Sequence, residues 1–133
     1  MHEIILVVKD VRVAARFYET VVGLQLRGEA SDEWAAFATI SLEHPQWLGI
    51  TRGPLLFEEY SPLPTGERFG PVHFALRAKD ATPDAFLANA KENGVEVYGP
   101  QQWDGRMKGV SHYFYDPDNN LVEYWWPVDL LQG

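Results

Sequence analysis

The alternation of apolar and polar positions sets out the elements of this chain before any composition is counted. Glu3-Ile4-Ile5-Leu6-Val7-Val8 is a short apolar run rich in β-branched residues, which predicts a strand closed by Lys9-Asp10. The period then changes. Val11, Ala14, Ala15, Phe17, Tyr18, Val21 and Val22 recur at threes and fours, which predicts an amphipathic helix capped by Asp10 and stopped at Gly23. Strands are predicted at Leu24 to Arg27, Trp34 to Ile40 and Trp47 to Thr51, the last two joined through the hairpin linker Ser41 to Gln46. Gly53 to Pro71 breaks the pattern with Pro54, Pro62, Pro64 and Pro71 and with Gly66 and Gly70, and reads as a connector or a lid.

Beyond that stretch the order of elements starts again. Val72 to Ala78 predicts a strand ending in a second Lys-Asp pair, Lys79-Asp80. Thr82 is placed to cap a helix with Pro83 at its first position, Asp84 in its first turn and Gly94 as its stop. Strands are predicted at Val95 to Tyr98, Val110 to Tyr115 and Leu121 to Trp125, with the turn Asp116-Pro117-Asp118-Asn119-Asn120 between the last two. The chain is thus an internal repeat of about 70 residues, too long a period for a solenoid. Glu3 and His73 hold equivalent places, and the hairpins around Pro45 and Pro117 bring Gly49 into register with Glu123. The expected architecture is α+β, a single domain of two βαβββ modules, residues 1–52 and 72–133, joined by the connector 53–71.

Composition narrows the function. At 133 residues the chain has room for about one domain, so the two modules are expected to share a core. Five Trp, six Tyr and seven Phe supply large side chains to bury. Eleven basic residues against nineteen acidic ones give a net charge of −8, which repels a phosphate backbone and argues against a nucleic-acid partner. With no cysteine, a metal is held by imidazole and oxygen ligands or not at all. The apolar run Ile4 to Val8 is too short for a secretory segment, and no run is long enough to span a bilayer, so a cytoplasmic protein without a membrane partner is expected.

Four stretches carry a resemblance to a known family. They are the opening strand into Lys9-Asp10, the helix Arg16-Phe17-Tyr18-Glu19 running to Val22-Gly23-Leu24, the strand Val72-His73-Phe74-Ala75-Leu76, and the ending Tyr115-Asp116-Pro117-Asp118-Asn119-Asn120-Leu121-Val122-Glu123. In this order and spacing the sequence resembles the vicinal oxygen chelate superfamily, which includes glyoxalase I, fosfomycin-resistance proteins, extradiol dioxygenases and bleomycin-binding proteins. The resemblance implies two modules curled into a cleft with a divalent metal on its floor, held by residues of the first and fourth strand of each module. Those positions fall here on Glu3, Gly49, His73 and Glu123. Gly49 offers no ligand. It either leaves a coordination position open or accommodates a bulky neighbour such as Trp47.

The implied ligand set is therefore Glu3, His73 and Glu123, with Glu123 also the candidate catalytic carboxylate. One imidazole and two carboxylates suit Mn, Zn, Ni, Mg or Fe, with Mn, Mg or Zn favoured over Fe by the oxygen-rich set. Each residue has a plainer reading: a hydrogen-bonded strand histidine for His73, a solvated strand start for Glu3, and an edge-strand surface residue for Glu123. His2 is one residue out of register and is not counted. Arg77 shares a face with His73 and is a candidate contact to an anionic substrate, or half of a structural ion pair. Either His112 or Tyr113 faces the cleft, and Tyr113, Trp47 and Trp103 are candidate substrate contacts. Trp34, Phe37, Trp125 and Trp126 are first of all core or interface residues. Gln101 to Gly109 reads as a mobile loop with cationic tips. The leading function is a metal-dependent lyase, isomerase or dioxygenase acting on a small oxygen-bearing substrate; the rival is a metal-free drug-binding protein whose acidic surface attracts a cation. A homodimer is expected, with Tyr124, Trp125 and Trp126 as a candidate interface unless they pack beneath the chain's own helix.

Overall fold

The computed structural model describes residues 2–38, 46–53, 71–105 and 108–131. The hairpin linker before Gln46 and the proline-rich connector after Gly53 lie outside the described residues. The chain divides into two compact units, Met1–Gly70 and Pro71–Gly133, each with one four-stranded mixed sheet, an α+β arrangement. Among the described residues no helix is long and apolar enough to cross a membrane.

In the first unit β1 (Glu3–Val7) leads into α1 (Val11–Phe17), and the sheet is completed by β2 (Gln25–Arg27), β3 (Trp34–Ala38) and β4 (Trp47–Thr51) in the order β1-β4-β3-β2. The Asp10 carboxylate accepts from Val13 N–H at 3.0 Å and caps α1 as expected. A π-helical turn, Tyr18–Val22, extends α1 to Gly23, whose φ of 81° takes the left-handed stop. Alternation splits the sheet into two faces. Leu6, Leu48, Ile50, Ala35 and Phe37 are buried with Ala14, Ala15 and Tyr18 of the helix. Glu3, Ile5 and Val7 share the opposite face with Trp47, Gly49 and Thr51, their partners in parallel register.

The second unit repeats the plan with β5 (His73–Arg77), α2 (Asp84–Glu92), β6 (Tyr98–Asp104), β7 (Lys108–Tyr115), β8 (Leu121–Pro127) and a short α3 (Val128–Leu131), in the sheet order β5-β8-β7-β6. The second helix starts at Asp84, and its boundary residue is Pro83 rather than Thr82. Pro83 already has helical angles, φ −77° and ψ −3°, and its carbonyl accepts from Leu87 N–H. The sixth strand begins at Tyr98, not Val95, because Val95 N–H is spent on the carbonyl of Ala90 at the helix end. It then runs through Gln101 to Asp104, so most of the expected mobile loop is strand, with Arg106 and Met107 outside the described residues.

Phe86 of α2 anchors this unit's core, 5.1 Å from the ring of Phe114, 5.0 Å from Tyr124 and 5.8 Å from Trp126. Trp126 and the half-buried Tyr124 therefore pack beneath the chain's own helix, the second of the two alternatives that the sequence left open for them. The β7–β8 turn is locked from inside. The buried Asp116 carboxylate accepts from Asp118 N–H, Asn120 N–H and Asn120 Nδ2, and Asn120 Oδ1 accepts from Val72 N–H at 2.9 Å.

Two outcomes follow from this packing. Asp116→Ala strands two backbone donors and the Asn120 amide, and a loss of about 2–3 kcal/mol in urea unfolding is expected; a loss near zero would contradict the clamp. His112, 4% exposed, has its imidazole pushed below the ordinary 6.5 by burial. The unfolded chain takes up a proton near that pH which the folded chain resists, so the contribution of His112 is complete above it and declines as pH falls below it. His112→Phe is expected to flatten the acid side of the stability profile, read as melting temperature against pH.

Candidate functional site

Strand register gathers the candidate chemistry of the second unit on one face of its sheet. Ala75 lies beside Glu123 in the parallel β5–β8 pair, and Tyr113 lies opposite Glu123 in the antiparallel β7–β8 pair. Alternation then puts His73, Ala75, Arg77, Glu123, Ser111 and Tyr113 on the same face, and sends His112 to the helix side. This settles the choice between His112 and Tyr113. Because β8 lies between β5 and β7, Glu123 is not an edge-strand residue, and it is 7% exposed.

Glu123 is held at both oxygens. The Ser111 hydroxyl donates to Oε1 at 2.5 Å, and Trp103 Nε1–H donates to Ser111 Oγ at 2.9 Å. On the other side His73 Nε2 stands 3.2 Å from Oε2. The second ring nitrogen of His73, Nδ1, lies 3.2 Å from the carbonyl oxygen of Leu121. A neutral imidazole has one N–H, and both of its nitrogens here face acceptors. With the proton on Nδ1, the Nε2 lone pair opposes a carboxylate; with the proton on Nε2, the Nδ1 lone pair opposes a carbonyl. A cation between Nε2 and Oε2, a proton or a metal ion, removes the conflict. The 3.2 Å spacing is also that of two neighbouring ligands each about 2.1 Å from one divalent ion.

Tyr113 completes the cluster, its ring 6.1 Å from that of His73. Burial first, then the Glu123 carboxylate, pushes its phenol above the ordinary value of 10.0, so the hydroxyl keeps its proton at neutral pH. Arg77 lies on the same face but pairs with Asp129 of α3 at 3.0 Å, the structural ion pair weighed for it. Trp103, 38% exposed, has its indole N–H committed to Ser111. Glu3 and Trp47 belong to the first unit, where they are register partners on β1 and β4. Among the described residues no three His, Asp or Glu side chains form a group able to hold a metal.

Ser111 escaped the sequence reading, although it lies two residues before Tyr113 and so shares its face. A small polar residue among aromatic ones was the available signal. Gly49 has a neighbour the sequence did not point to. A Cβ placed on it would lie 2.5 Å from the Trp34 indole, so Trp34, not Trp47, is the bulky side chain it accommodates.

The sequence profile of the Glyoxalase/Bleomycin resistance protein/Dioxygenase superfamily matches residues 1–124. Among solved structures, a virulence protein from Salmonella typhimurium is similar at 22% identity and TM-score 0.72, over 96% of this chain and 96% of its own. Lactoylglutathione lyase from Agrobacterium tumefaciens is similar at 23% identity and TM-score 0.67, over 95% of this chain and 92% of its own. A glyoxalase/dioxygenase from Nostoc punctiforme is similar at 26% identity and TM-score 0.66, over 95% of this chain and 89% of its own. At these identities the likeness is one of fold. No curated protein matches the chain.

The Gly49–Trp34 contact has a direct test. Gly49→Ala is expected to cost about 1–3 kcal/mol by overpacking against the indole, and the same substitution in a Trp34→Ala background is expected to cost little. Equal costs in the two backgrounds, measured as a double-mutant cycle, would show that the indole does not fill this position.

Proposed function

The chain belongs to the Glyoxalase/Bleomycin resistance protein/Dioxygenase superfamily, and on that premise we propose that it is a divalent-metal-dependent enzyme acting on a small substrate with two adjacent oxygens. The observation that carries this reading is the opposition of His73 Nε2 and Glu123 Oε2 at 3.2 Å, with the other His73 nitrogen already facing the Leu121 carbonyl. A proton on Nδ1 donated to Leu121 fixes the tautomer and leaves the Nε2 lone pair for a ligand bond. Ser111 holds Oε1 of Glu123 and leaves Oε2 to share that bond. The resemblance adds Glu3 from the first module to the set. A bound ion of the Mn, Zn, Ni, Mg or Fe type supplies Lewis acidity to the substrate oxygens. The oxygen-rich donor set favours lyase or isomerase chemistry on Mn, Mg or Zn over dioxygenase chemistry on Fe.

The residues around the pair have separable tasks. Glu123, relieved of hydration by burial, is the carboxylate placed to take a proton from substrate. The protonated Tyr113 hydroxyl is a donor beside it. The Trp103 indole closes the outer side of Ser111 and limits water there. A homodimer stays part of this reading on the strength of the resemblance, with the buried Trp126 unable to contribute its ring to the interface, and light scattering measures it.

One observation favours a second reading. Trp34 covers the Gly49 position that supplies a ligand in four-ligand relatives, as suits a metal-free protein that sequesters a cationic small molecule on its acidic surface. Calorimetric titration with Mn, Zn and Ni decides between them. One ion per chain is expected, with binding abolished in His73→Ala, weakened in Glu3→Gln, and reduced about tenfold in Ser111→Ala through the misplaced carboxylate. Unchanged metal affinity in His73→Ala, together with tight binding of an organic cation by the metal-free protein, would establish the second reading.

A further inference from the structure

The helix side of the second unit carries a pocket that the His73–Glu123 cluster does not use. It has a volume of about 340 Å³ and is lined by Pro83 and Leu87 at the start of α2, Pro100 and Gln102 from β6, and Val110 and His112 from β7. Because β7 alternates, Val110 and His112 face away from Ser111 and Tyr113, and the pocket and the candidate metal pair lie on opposite faces of one sheet. His112 is 4% exposed, and among the described residues its ring makes an edge-to-face contact with Trp126 at 5.6 Å but no hydrogen bond. Its ring nitrogens are not among the fully buried unpaired side-chain atoms of the described residues, so a molecule in the pocket can reach the imidazole and pair with it.

We propose that this pocket is a second binding site, for a small neutral aromatic molecule bearing one hydroxyl, with its ring among Pro83, Leu87, Pro100 and Val110 and its hydroxyl paired with the His112 imidazole. The volume is at the small end of ligand pockets, about 300–1,000 Å³, and suits a single substituted ring. Four of the six lining side chains are apolar and none is charged, so a charged ligand finds no counter-ion. Burial also holds His112 in its neutral form, which offers one lone pair and one N–H to a hydroxyl. The Gln102 amide at the rim gives a second polar contact. The site is independent of the proposed metal chemistry and fails separately from it.

Fluorine NMR with para-fluorophenol and the near-isosteric para-fluorotoluene tests the assignment on the whole chain. Saturable binding of both probes is expected, the phenol about fivefold tighter for one net hydrogen bond, with the His112 ring resonances shifting and those of His73 unmoved. His112→Phe keeps a ring against Trp126 and is expected to abolish the preference for the phenol. Leu87→Trp fills the pocket and is expected to abolish binding of both probes while leaving divalent-ion titration unchanged. Equal affinity for the two probes in the wild type, phenol binding that survives Leu87→Trp, or no saturable binding at millimolar probe would each overturn the proposal.

Discussion

The candidate site depends on the register between β5 and β8, two parallel strands that are far apart in sequence and have no turn of their own to align them. The alignment comes from the β7–β8 turn. Asp116, buried, gathers Asn120 by its backbone and its side chain, and Asn120 Oδ1 in turn takes the Val72 N–H, while Leu121 N–H donates to the Val72 carbonyl. The strand that follows Val72 therefore starts with His73 beside Leu121, and Ala75 falls beside Glu123. A slip of one residue would turn His73 toward the helix and dismantle the pair. The polar turn at one end of the sheet thus decides which side chains meet on the face away from the helix.

The two modules treat one structural position in opposite ways. Gly49 and Glu123 are equivalent on their fourth strands, beside Ile5 and Ala75. Trp34 and Ser111 are equivalent on the neighbouring strands, opposite Thr51 and Trp125. In the first module a large indole fills the space left by a residue without a side chain; in the second a small hydroxyl supports a carboxylate that occupies it. Each pair is complementary in volume, as close packing requires, and the exchange leaves an indole at this position in one module and a carboxylate in the other. A side chain cannot be added at Gly49 without moving or removing Trp34.

Burying Glu123 is expensive unless its charge is answered, and the answers present in its own unit are unequal. Ser111 gives a neutral hydrogen bond to one oxygen. The other oxygen faces a nitrogen whose partner on the far side of the ring is itself an acceptor. The proposal of a cation at this place rests on that opposition. Arg77, on the same face of the sheet, is instead drawn to Asp129.

Hydrophobic periodicity determined the order of strands and helices, the helix stop at Gly23, the cap at Asp10 and the duplication, because each of these is set by residues within a few positions of one another. The resemblance carried by Lys9-Asp10, His73 and the Asp116–Glu123 stretch indicated the family and the face on which His73 and Glu123 belong. Tertiary structure decided what lies beyond that range. It put Tyr113 rather than His112 on the face of Glu123, since parity across a hairpin depends on a register fixed from outside it. It placed Ser111 under Glu123 and Trp34 over Gly49, since only strand pairing brings residues so distant in sequence together. It drew Trp126 into the core and packed the half-buried Tyr124 against Phe86, since an aromatic strand reads alike whether its neighbour is solvent, a partner or its own helix.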